Sequence, residues 1–266
     1  MKKPRFTIIT VCYNAEKYIE ETIASLLKQK FTDYEYIIKD GKSSDNTMKI
    51  VENMLAQNDK VCIVSKIDNG IFDAMNEAAS LAKGEYIFFL NAGDCLYNDS
   101  VLDDVDLYLK QNPMIEIAYG NVVLLGKDRK RSRTYSRICS KSIYAVTGDC
   151  ICHQVMFTKR ELFDEKEFDL SYKVCSVRDW QFYFIKRKKN FGCMDLTVSI
   201  FREEGFCTSH MQEYEEETLR CVQENFNSGI IFGYRIIAGM KKSVFLRRML
   251  RIFGEILFQK SKKYSE

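Results

Sequence analysis

The chain has 266 residues, 46% of them apolar and 29% charged, with a formal net charge of only +3. That balance closes a sizeable core and suits one large α/β domain, or one domain with a helical extension. It leaves no room for a Pro-rich linker, since Pro4 and Pro113 are the only prolines, and ten scattered cysteines without a Cys-x-x-Cys pair exclude a zinc ribbon and argue for reduced, mostly buried thiols.

The elements follow in chain order. Met1–Arg5 runs directly into a buried-strand pattern over 6–12, with no apolar stretch of signal-peptide length. Residues 16–29 place Ile19, Ile23, Leu26 and Leu27 at helical spacing. A second strand over 34–39 ends at Asp40-Gly41. Ser44 and Asp45 cap a helix with Met48, Ile50, Val51, Met54 and Leu55 on its apolar side. A third strand is expected over 61–65, a helix over 73–83 and a fourth strand over 85–90. Strands alternating with helices on short connections predict βαβ units on a parallel sheet for residues 1–95. Beyond residue 115 the pattern changes. Residues 115–125 and 132–138 read as a hairpin around a basic tip at 126–131, and 151–158 as a strand. A buried helix is expected over 179–187, a strand over 191–201, and helices over 213–225 and 244–259. No run of 18 apolar residues occurs, so a spanning helix is not expected.

Polar residues gather where these strands end. The first delivers Thr10-Val11-Cys12-Tyr13-Asn14, and the second Asp40-Gly41-Lys42-Ser43-Ser44-Asp45. Then come Asp68-Asn69-Gly70-Ile71-Phe72-Asp73-Ala74-Met75-Asn76 and, after the fourth strand, Asn91-Ala92-Gly93-Asp94. This series resembles the nucleotide-sugar glycosyltransferases of family 2. The resemblance implies the GT-A fold: a Rossmann-like, mostly parallel sheet flanked by helices, here with a C-terminal helical extension. It spans residues 5–95 closely and 150–210 more loosely. By that resemblance Thr10, Val11, Tyr13, Asn14, Asp40 and Gly41 cradle the base and ribose. Asp68, Gly70, Asp73 and Asn76 line the cleft, and Asn91, Ala92, Gly93 and Asp94 face the diphosphate. Family members carry Asp-x-Asp in the last turn and use it to hold Mg2+ or Mn2+. This chain departs from that pattern, leaving Asp94 as the sole carboxylate with Asn91 as its companion; one carboxylate can suffice once a diphosphate is present.

The resemblance also implies inverting transfer from a UDP- or dTDP-sugar to a saccharide or lipid-carrier-linked glycan in cell-surface polysaccharide biosynthesis. Asp179, in Arg178-Asp179-Trp180, is the candidate base, with His153 and Trp180 on the acceptor side and His210 in a loop that could close over the diphosphate. The domain reading is 1–210 as the catalytic domain (1–95 nucleotide-binding half, 96–210 acceptor half) and 211–266 as the extension. From Lys241 onward eight basic residues face only Glu255 and Glu266, a local excess of +6 that leaves −3 for residues 1–240. Apolar residues recur at helical spacing among these cations, the composition of an interfacial helix. The expectation is therefore a cytoplasmic enzyme, peripheral at an anionic inner membrane face, with no nucleic-acid partner. A nucleotidyltransferase or a NAD-type dehydrogenase would carry Gly-x-Gly after the first strand, and none occurs. A non-catalytic nucleotide-sugar-binding homologue stays open because of Asn91 and Gly93.

Overall fold

Seven consecutive buried residues, Phe6–Cys12, form β1, covered on both faces as central parallel strands are. The computed structural model describes residues 3–126, 131–135, 150–202 and 210–241. β1 is flanked by β2 (Tyr34–Asp40) and β4 (Tyr86–Phe89), both parallel to it, and β2 carries β3 (Val61–Ser65) on its far side, also parallel. The helices between them are α1 (Ile19–Leu27), α2 (Thr47–Leu55) and α3 (Ile71–Leu81). Their apolar stripes explain the helical choice: Ile19, Ile23 and Leu26 of α1 and Met75 and Ala78 of α3 are fully buried.

Beyond β4 the sheet becomes mixed. Its order is β3-β2-β1-β4-β8-β6-β9-β5, with β7 on β6. Here β5 is Cys95–Leu96, β6 Ile117–Leu125, β7 Arg131–Tyr135, β8 Met156–Lys159 and β9 Phe191–Arg202. β8 runs antiparallel to β4, so its first residues lie beside the carboxyl end of β4. β9 runs parallel to β6, with a register shift around Tyr119 and Asn121. The remaining helices are α4 (Val101–Gln111), α5 (Glu161–Glu165), α6 (Ser176–Lys186), α7 (Met211–Asn225) and α8 (Ser228–Lys241). An aromatic core ties β4, β8 and α6 together. Phe88 stacks on Phe157 at 4.4 Å, and Trp180 packs on Phe163 at 5.1 Å and Phe184 at 4.4 Å.

The expected strands over 6–12, 34–39, 61–65 and 85–90 and the helices between them are present. Two expectations are corrected. Residues 151–158 do not form one strand: His153–Val155 is a 3-10 turn, and only then does β8 begin. α4, α5 and α8 occupy segments for which the pattern named no helix. The expected helix over 244–259 and most of the basic hairpin tip lie outside the described residues.

The chain divides into two compact units. One joins residues 1–137 to 150–218, and the other joins 138–149 to 219–266. The first contains the whole sheet. The described part of the second is the end of α7 and α8, and α8 is apolar except for Ser228, Tyr234, Arg235 and Lys241. Phe232 and Ile236, one turn apart on it, are 67% and 48% exposed.

Candidate active site

The carboxyl ends of β1 to β4 share one edge, where open α/β sheets bind ligands. Asn14 stands at φ +48 just after β1. Its N–H donates to Ser43 Oγ at 2.9 Å and its Oδ1 accepts from Ser44 N at 2.9 Å, so the first two loops are stitched together. Tyr13 is left 67% exposed beside them, an aromatic face available for stacking. Asp40, buried at the end of β2, accepts from Ser43 N at 3.1 Å, Ser43 Oγ at 2.5 Å and Ser65 Oγ at 2.6 Å. Behind it Lys39 is fully buried. Its Nζ donates to Asp68 Oδ2 and to Lys66 O, both at 2.8 Å, with Glu77 Oε2 at 3.4 Å. Asp68 in turn accepts from Gly70 N at 3.1 Å. A Cβ on Gly41 would stand 3.0 Å from Asp68 Oδ2 and 3.3 Å from the Tyr13 ring, so the two loops meet closely there. Gly70, at φ +117, has open space where a side chain would be, and a ligand can approach its backbone there.

The turn after β4 is gripped by the residues just before β8. Asn91 Nδ2 donates to His153 Nε2 at 2.9 Å. Gln154 donates from its side chain to Asp94, which also accepts from the Arg202 backbone N–H. Asn91 Oδ1 is buried and has no hydrogen-bond partner. Burial drives the Asp94 carboxyl up to about 7, against the opposing bonds from Arg202 and Gln154. Burial likewise pushes the His153 imidazole down to about 4, so it is neutral. An amide nitrogen can only donate, hence His153 Nε2 accepts and its proton sits on Nδ1. Among the described residues no three His, Cys, Asp or Glu side chains converge. The unpartnered Asn91 Oδ1 and the buried Asp94 carboxylate nevertheless fit a hard divalent cation, whose other positions phosphate oxygens and water can fill.

Asp179 opens α6. It is buried, with Lys166 Nζ at 3.0 Å from Oδ2. Two residues on, Gln181 grips Ile151 from both sides: its Oε1 accepts from Ile151 N at 3.0 Å, and its Nε2 donates to Ile151 O at 2.7 Å. α6 is thus fastened two residues upstream of His153. The start of α6 is held by α7, where Glu217 accepts from the backbone N–H groups of Lys173, Val174 and Cys175 at 2.7 to 2.9 Å. Arg178, only 1% exposed, donates to Tyr214 OH at 2.6 Å and to Thr218 Oγ1.

This arrangement of strands and polar turns matches known proteins. The model of the family described as Glycosyl transferase family 2 matches residues 7–166. The chain belongs to glycosyltransferase family 2. Its relatives include a PGL/p-HBAD biosynthesis glycosyltransferase of Mycobacterium bovis, 30% identical over 187 residues that cover 68% of this chain and 69% of the relative. Chondroitin synthase of Escherichia coli is 32% identical over 186 residues, covering 65% of this chain but only 27% of that enzyme. Among solved structures, S. aureus TarS in complex with UDP-GlcNAc superposes with a TM-score of 0.66 at 20% identity, over 82% of this chain and 65% of that one. The mannosyltransferase PcManGT from Pyrobaculum calidifontis, in complex with GDP-Man and Mn2+, superposes with a TM-score of 0.65 at 14% identity, over 97% and 81%. The shared fold is the GT-A glycosyltransferase architecture.

Within this glycosyltransferase several residues serve other ends than the motif suggests. Thr10 is interior: its hydroxyl donates to Leu90 O at 2.6 Å and lies 2.9 Å from Tyr36 OH. Val11 is buried in β1 beside it. Asp73 accepts from the Asn69 backbone and side chain at 2.8 and 3.0 Å, closing the turn that starts α3. Both ends of the Asn76 amide are spent on the Phe168 backbone, each at 2.9 Å. It bounds a cleft of about 250 Å3 with Phe163, Asp164 and Glu167. Trp180 is fully buried, and its indole N–H donates to Lys166 O at 2.7 Å. His153 bonds the Asn91 side chain in the turn after β4. The sequence pattern does not single out Lys39 or Lys166. A lone lysine inside the apolar run Tyr36-Ile37-Ile38-Lys39 was the available signal for the first; the other gave none. His210 immediately precedes α7, and residues 203–209 lie outside the described residues.

Proposed function

We propose that this chain moves a sugar from a UDP- or dTDP-sugar to a hydroxyl of a saccharide or lipid-carrier-linked glycan, with inversion at the anomeric carbon. The observation that carries the reading is the turn after β4, which buries one carboxylate, Asp94, beside an unsatisfied amide oxygen, Asn91 Oδ1. Such a pair is costly to bury without a ligand. Asp94 and Asn91 would hold Mg2+ or Mn2+, which neutralises charge on the departing diphosphate. Tyr13 offers a face to the base beside Gly41 at the end of β2, where Asp40 is buried, and Gly70 admits the donor close to the backbone. The acceptor oxygen attacks C1, the C1–O bond to the diphosphate breaks, and the hydroxyl proton passes to Asp179. Lys166, now 3.0 Å from Asp179, gives way to the acceptor hydroxyl and stays near the carboxylate.

The activities of the relatives, one a PGL/p-HBAD biosynthesis glycosyltransferase and one a chondroitin synthase, support a saccharide acceptor in cell-surface assembly. Attachment to an anionic inner membrane face is supported by the cation-rich sequence after Lys241 and by α8. That helix shows Phe232 and Ile236 outward and carries Arg235 and Lys241 without an acid. No described helix is long and apolar enough to cross a membrane. The reading is tested by the thermal midpoint of the protein against a nucleotide-sugar panel with and without Mn2+, followed by transfer or slow hydrolysis of any binder. A donor that raises the midpoint but never turns over leaves only a binding protein, and no effect from any uridine or thymidine diphosphate sugar discards the donor class.

A further inference from the structure

We propose that His153 is a positioning residue for the cation: it accepts from Asn91 Nδ2 and so fixes which end of the Asn91 amide faces the diphosphate. This inference rests on the proposed donor site. An aspartate at this position would have two equivalent oxygens, so its orientation would need no lock. An asparagine has one oxygen that can ligate a cation and one NH2 group that cannot. A half-turn of the side-chain amide therefore decides whether the site can bind metal at all. The structure shows the productive choice. Nδ2 is tied to His153 Nε2 at 2.9 Å, which leaves Oδ1 buried and without a partner. A histidine carrying its proton on Nε2 would donate to Oδ1 and turn the NH2 group toward the cation. The 3-10 turn His153–Val155 delivers both grips at once, because the next residue, Gln154, bonds the Asp94 carboxylate. Outer-sphere partners of this kind typically govern metal affinity by about 10- to 100-fold.

The test is Mn2+ affinity in the presence of UDP, read by electron paramagnetic resonance of free Mn2+, on the full chain with wild type, His153→Leu, His153→Gln and Asn91→Asp. His153→Leu is expected to weaken Mn2+ binding by about 10-fold or more. His153→Gln, whose amide oxygen can accept the same bond, is expected to retain most of it. The deciding comparison is His153→Leu within the Asn91→Asp background, where the loss is expected to shrink to less than about 3-fold because a carboxylate has no wrong end. An equal loss in both backgrounds means that His153 only supports the fold, and overturns the proposal. So does a His153→Leu protein that binds Mn2+ as tightly as wild type. Wild type that shows no UDP-dependent Mn2+ binding removes the donor-site reading together with this one.

Discussion

Asp94→Asn separates the cost of the site from its use. The carboxyl is raised from 3.8 to about 7 by burial, which corresponds to about 4 kcal/mol held against the folded state once the group ionises. A group whose folded value lies above its unfolded one contributes stability fully below the unfolded value and loses it as pH rises through the folded one. Without a ligand, wild type therefore loses up to about 4 kcal/mol from Asp94 between pH 4 and pH 8. Asp94→Asn has no such proton to release. Chemical denaturation of both proteins at half-unit steps over that range isolates the residue, because every other carboxylate cancels in the difference. The variant is expected to match wild type near pH 4 and to be the more stable by up to about 4 kcal/mol at pH 8. Mn2+ with UDP should narrow the gap at pH 8, since a ligand at about 100 times its Kd adds about 2.7 kcal/mol to the protein that binds it. Parallel curves from pH 4 to 8 would refute the argument that Asp94 is strained by burial.

Three further outcomes are expected. Asp179→Asn is expected to lower kcat by about 10²- to 10⁴-fold, the usual worth of a general base, with donor-dependent thermal stabilisation unchanged; transfer rates close to wild type would exclude it as the base. Lys39→Met leaves Asp68 and Glu77 without their buried cation and is expected to cost about 3 kcal/mol and to weaken donor binding, read by urea denaturation and by UDP titration. Phe232→Glu combined with Ile236→Glu is expected to abolish flotation with anionic vesicles while leaving donor binding intact; unchanged flotation would discard α8 as the membrane contact.

The parallel half was legible because its signals are local. Alternating apolar runs, a helical stripe and a turn residue within about ten positions suffice to place β1 to β4 and the turns at Asp40 and Asn91. What escaped is set by distant partners. Asn76 reads as a cleft residue until Phe168, 92 positions away, takes both ends of its amide. Trp180 follows a candidate base and looks available, yet Phe163, Phe168 and Phe184 close around it. Thr10 looks like a motif residue and is spent on Leu90 and Tyr36 across the sheet. Residues 151–158 read as one strand because β-branched and apolar residues continue through His153, and periodicity carries no mark of the 3-10 turn that lifts His153 and Gln154 toward Asn91 and Asp94.

The Gln181 clasp on Ile151 makes one rigid lever of two functions. Asp179 lies two residues from one end of the clasp and His153 two residues from the other. A displacement of α6 by an arriving acceptor would thus be felt at the turn proposed to face the diphosphate, and departure of the nucleotide would be felt at the proposed base. Acceptor choice could drift through changes elsewhere on α6 and α7, but the clasp itself is where a single substitution would disturb both halves of the reaction together.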